Sequence, residues 1–168
     1  FTGSATRFNT IDSFGLRAGV SSELTAGGLL QHPSMPVLDR NDGFDVEFSL
    51  QILSEAHSQT RDDNDDGLLD RAGFRVIVIR QDLQGIELAF FESELWVYED
   101  AQGDGLNRFT QAEGAALDTT TLTNYKLVGA LSGYSLFANG VKILSGSWRT
   151  YTPSGVHPFT DPYDNPSF

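Results

Sequence analysis

The sequence predicts an all-β domain built as two antiparallel sheets packed into a sandwich. Three observations carry this. Apolar and polar residues alternate over short stretches, the period-two pattern of half-buried strands. Turn residues, among them many of the 17 glycines, punctuate those stretches at close intervals. Apolar residues recurring every three or four positions, the mark of an amphipathic helix, are nearly absent. At 168 residues the chain is long enough for a sizeable core, and 1–168 is read as one sandwich domain.

The elements follow in chain order. Residues 1–20 read as an extended N-terminal segment or strand. In "GFDVEFSLQIL", Phe44, Val46, Phe48 and Leu50 share one face, and Asp45, Glu47 and Ser49 share the other. "GFRVIVIRQD" alternates less and is rich in β-branched residues, so it reads as a central strand. "IELAFFES" and "ELWVYED" read as two strands separated by a kink at Ser93, with Trp96 and Tyr98 together on a face buried in the core. In "TQAEGAALD", Thr110 followed three residues later by Glu113 matches a capping box, and Gly114 limits the prediction to one helical turn. A three-strand meander is predicted over Tyr125–Ala130, Tyr134–Ala138 and Val141–Ser145. Its second hairpin is marked by Asn139-Gly140, because a type I′ turn needs positive φ at both central residues. Residues 151–168, rich in proline, read as an extended C-terminal tail.

Composition excludes several function classes. With 23 acidic and 11 basic side chains the net charge is −12, which argues against nucleic acid and anionic membrane surfaces as partners. There is no cysteine, hence no thiol chemistry and no thiolate metal site. No apolar run approaches the roughly 20 residues that span a bilayer. The ends, "FTGSATRF" and "DNPSF", read as those of a mature or partial chain.

"DDGLLDRAGFRVIVIRQDLQGIELAFFESELWVYED", then "FTQAEG" and "NYKLVGALSGYSLFANGVKILSG", resemble the concanavalin A-like (LamG-type) jelly roll of secreted, often surface-anchored bacterial proteins. The resemblance covers roughly Asp39 to Phe168. It implies a jelly-roll sandwich, an extracellular or cell-surface location, and carbohydrate or surface contact. In relatives the region of "DPYDNPSF" runs on into a further apolar strand, so one closing strand is expected to be lacking here or supplied from elsewhere.

The acidic stretch "RDDNDDGLLDRAGF" holds the first candidate site. Asp62, Asn64, Asp66, Gly67 and Asp70 fit D-x-[DN]-x-D-G-x-x-D, with the Leu68 carbonyl at the seventh position. Oxygens at alternate positions converge on one point when the backbone coils, and glycine permits the sharp turn, so the pattern suits Ca²⁺. It resembles the calcium loops of thrombospondin type 3 and dockerin-like repeats. Position 12 falls on Gly73, so the usual bidentate Glu is lacking. A solvated acidic loop is the competing expectation. Asp100, Gln102 and Asp104 form a weaker echo, with Arg108 at its ninth position.

Trp148 and Tyr151 are the candidate exposed aromatics for a sugar ring. Catalytic patterns are poor. Glu92 and Glu94 do not match the carboxylate spacing of a glucanase of this fold, and the kink at Ser93 separates them. The expected function is a secreted, non-enzymatic, calcium-stabilised structural or adhesion protein of the cell surface or matrix. Its expected partners are copies of itself, joined into a fibre by strand sharing, or surface polysaccharide. A lectin-like carbohydrate-binding module is the alternative, and a glycoside hydrolase the more distant one.

Overall fold

The computed structural model describes residues 38–39, 41–56, 60, 67, 73–80, 82, 84–98 and 111–150. Nine strands and no helix are found among them: β1 (Phe44–Leu50), β2 (Phe74–Ile79), β3 (Gln84–Phe90), β4 (Glu94–Tyr98), β5 (Gln111–Ala116), β6 (Thr123–Ala130), β7 (Gly133–Ala138), β8 (Val141–Gly146) and β9 (Arg149–Thr150). They form two antiparallel sheets. The first has the order β1-β6-β7-β8, and the second the order β2-β3-β4-β5, with β9 added beside β3. The molecule is a β-sandwich, as the alternation predicts.

Period-two patterning explains the packing. Tyr125 and Leu127 on β6, Leu136 on β7 and Leu144 on β8 point inward from the first sheet. Ile86, Leu88 and Phe90 on β3, with Leu95 and Val97 on β4, meet them from the second. The β1 residues Phe44, Val46, Phe48 and Leu50 pack on this core while Asp45, Glu47 and Ser49 face solvent. Phe48 stacks on Tyr125 at 5.4 Å, and Phe90 meets both rings edge-on, which fastens one sheet to the other.

The β7–β8 hairpin turns on Asn139 (φ 47°) and Gly140 (φ 82°), the two left-handed residues a type I′ turn demands. The Asn139 side chain accepts the Asn124 N–H at 3.1 Å, and the Asn139 N–H donates to the Asn124 carbonyl at 2.8 Å. These bonds fix the register of β6 against the turn.

Three expectations are corrected. The stretch expected to make a helical turn is strand β5, paired with β4 from Glu94↔Ala116 to Tyr98↔Gln111. A capping box is a purely local signal, and pairing along a whole strand outweighs one turn of hydrogen bonds. A Cβ at Gly114 would crowd the Gln111 side-chain amide first and stand 3.3 Å from the Trp96 Cβ on the paired strand. The strand expected to be central, β2, borders its sheet among the described residues. β-branched content reports that a stretch is a strand, not where the strand lies. Trp96 and Tyr98 are buried as expected, but away from the main core. With Ala89 and Phe91 they form a second cluster, while their neighbours Leu95 and Val97 enter the first. The central part of the second sheet is therefore apolar on both faces.

Candidate functional site

Asp62, Asn64, Asp66, Leu68 and Asp70 lie outside the described residues, as do Asp100, Gln102, Asp104 and Tyr151. Gly67, the turn position of the first acidic loop, is described. It is exposed with φ 83°, a conformation that favours glycine over residues with a Cβ. Among the described residues no group of three or more His, Cys, Asp or Glu side chains comes together as a metal site.

Trp148 is half-buried and its ring is in use. The Arg80 guanidinium lies 4.7 Å from the ring centroid, a cation–π contact. Phe44 and Tyr134 pack at 5.6 and 5.9 Å. The indole N–H donates to the Ala130 carbonyl at 2.7 Å. Arg80 itself is 1 % exposed, a charge taken out of water. Its Nε donates to Asp82 Oδ1 at 3.1 Å and its Nη2 to Asp82 Oδ2 at 2.8 Å, the two-pronged pairing that suits a guanidinium. Nη2 also donates to Gln84 Oε1 at 2.9 Å, and Nη1 reaches the Ala130 carbonyl. The network ties the β2–β3 turn, the end of β6 and the β8–β9 crossover together.

The crossover is held at a second point. Arg149 on β9 pairs with Glu113 on β5, close to Gly146 and the Tyr134 hydroxyl. Burial pushes the Tyr134 phenol well above its usual range, the Glu113 carboxylate adds to the shift, and Arg149 offsets part of it. A raised folded-state pKa means that folding favours the neutral phenol. Its stabilisation is complete below the ordinary value of 10.0 and is lost as pH rises beyond it. Denaturation midpoints should therefore hold steady on approaching that pH and fall above it, and Tyr134→Phe should flatten the fall. A fall of unchanged steepness in the variant would place the alkaline sensitivity elsewhere.

Glu92 lies in the break between β3 and β4, and Glu94 opens β4. Ser93 separates β3 from β4 as expected, and Glu92 is engaged with the backbone. The Glu55 N–H donates to Glu92 Oε1 at 3.0 Å, and the Glu92 N–H donates to Glu55 Oε2 at 2.9 Å. The Glu92 carbonyl accepts the Thr119 N–H at 3.1 Å, and the Thr119 hydroxyl donates to the Phe91 carbonyl. This lacing joins the chain after β1 to the β3–β4 and β5–β6 connections.

The feature that sequence reasoning missed is the outer face of the first sheet, where Glu47, Ser49, Asn124, Lys126 and Phe137 line a shallow groove. The register sets Glu47 opposite Lys126, Lys126 opposite Phe137, and Phe137 opposite Lys142. Lys126 Nζ lies 2.5 Å from Asp45 Oδ2 and 3.4 Å from Glu47 Oε1. These two carboxylates, Asp45 first, raise its pKa. A signal was present in the sequence: with Tyr134, Leu136 and Ala138 inward, alternation must turn Phe137 outward.

The fold and these contacts define an antiparallel β-sandwich whose described charged networks join strands to their connections. Comparisons with protein-family models, curated proteins and solved structures give no match. No helix among the described residues is long and apolar enough to cross a membrane.

Proposed function

We propose that this chain is a non-enzymatic structural or adhesion domain of the jelly-roll kind, secreted to the cell surface or matrix and stabilised by Ca²⁺ in the 62–70 loop. The observation that supports the calcium assignment is Gly67, whose left-handed backbone (φ 83°) falls at the turn position of a loop rich in alternate carboxylates. The structural role is supported by the use of Arg80, Glu92, Glu113 and Trp148 as fasteners.

Strand sharing between copies is proposed at β2, which borders the second sheet among the described residues. Edge strands are normally blunted against such pairing. Asp45 and Glu47 charge β1, Lys142 and a register shift mark β8, and the Arg149–Glu113 pair crosses β5. By contrast β2 reads FRVIVI, and its single charge, Arg75, pairs inward with Glu87 at 2.6 Å.

The test is thermal melting with Ca²⁺ and with a chelator, followed by electron microscopy of the same samples. Ca²⁺ at 100 times its Kd adds about 2.7 kcal/mol. Melting should fall on chelation, Asp66→Ala should abolish the difference, and fibres should be seen in the calcium sample. An unchanged melt in both comparisons would sink the calcium assignment, and isolated particles alone would sink strand sharing.

A further inference from the structure

The outer face of the first sheet is self-complementary, and we infer that it pairs with the same face of a second copy. This does not rest on calcium or on strand sharing at β2, since it uses a sheet face rather than an edge. The row Glu47–Lys126–Phe137–Lys142 crosses β1, β6, β7 and β8, with a register shift between β7 and β8 beside Phe137. It is acidic at the β1 border and basic at the β8 border, with Lys126 and Phe137 between. A two-fold axis parallel to the strands, placed between two copies and over the β6–β7 line, preserves position along the strand and reverses position across it. Each row therefore meets itself reversed. Glu47 faces the partner's Lys142, Lys126 faces the partner's Phe137, and both contacts occur twice, as an isologous interface requires.

The adjacent row behaves alike. Val128 stands between Asp45 and Ser135, and Ser135 stands opposite Ser145. Reversed, Asp45 meets a serine hydroxyl and Val128 meets Ser135. Neither row sets like charges against each other. The groups are accessible, with side-chain exposures of 69 % for Glu47, 47 % for Asp45 and 43 % for Lys126, and Lys142 is exposed. Lys126, already held by Asp45 and Glu47, is positioned to present its ammonium to an aromatic face.

The face is small. Four strands at ~4.8 Å, with about three outward residues per strand at ~6.7 Å, give about 400 Å² per copy. Such an area belongs to weak, transient association. A dissociation constant in the micromolar range or weaker is expected, and salt should loosen it because charge pairs carry the specificity.

Sedimentation velocity of the whole chain, from about 10 µM to 1 mM at low salt, tests this. The wild type should shift from monomer to dimer across the range and return to monomer at high salt. Glu47→Lys and Lys142→Glu each set like charges opposite one another and should weaken association about tenfold. The double variant, with both charges exchanged, should restore it. A wild type that stays monomeric throughout overturns the pairing and leaves the face to a different ligand. Single variants that associate like the wild type, or a double variant as weak as the singles, also overturn it.

Discussion

Arg80→Ala lowers the unfolding free energy by about 3 kcal/mol, the low end of the range for breaking a buried ion pair, because Asp82 keeps partial access to water. The guanidinium contacts Asp82, Gln84, the Ala130 carbonyl and the Trp148 ring together. Its removal takes one donor from the Gln84 side-chain oxygen and two from the Asp82 carboxylate, and opens a hole beneath the indole. Arg80→Lys keeps the charge and loses the two-pronged geometry, so it should recover under half of the loss. The cost belongs to breaking the network. A well-packed apolar substitute for all of its members could be as stable as the network itself. Urea denaturation followed by tryptophan fluorescence measures it, and a loss under about 1 kcal/mol would mean that Arg80 is a bystander.

Phe90→Ala should cost more, about 3–5 kcal/mol. Phe90 is 1 % exposed and lies edge-on to Phe48 at 5.9 Å and to Tyr125 at 5.0 Å. Those two rings belong to the first sheet and Phe90 to the second, so truncation removes area, ring contacts and an inter-sheet tie at once. Phe90→Leu keeps most of the volume and should cost roughly half as much. Equal losses for the two variants would show that the ring geometry, not the filled space, is what matters.

The fold was legible where physics is local. Alternation placed Phe44, Val46, Phe48 and Leu50 on one face, and Asn139-Gly140 located a turn whose positive φ angles only a few residues accept. Ser93 was recognised as the break between β3 and β4. What stayed illegible depended on distant partners. The border position of β2 follows from which strand lies beside β3, and nothing within FRVIVI encodes it. Trp148 looked like a loop aromatic because its partners, Phe44, Arg80 and Tyr134, are scattered along the chain. The capping box at Thr110 and Glu113 misled because Glu113 is used by Arg149, a partner no local window contains. The proposal of Ca²⁺ at 62–70 draws on residue spacing together with the backbone of Gly67.

One consequence follows for synthesis. Strand β1 pairs with β6, and Ser49 bonds to Asn124, 75 residues further along. Within each sheet most neighbouring strands are also neighbours in sequence, but β1 must wait until β6 has left the ribosome. Its pairing spans more chain than any other among the described strands, with β3–β9 next, and should be a slow event in folding. During that interval an apolar strand stands open to strangers. Asp45, Glu47 and Ser49, interleaved with the aromatic and aliphatic residues, should keep the strand in solution until Lys126 takes up the two carboxylates and Asn124 the serine hydroxyl.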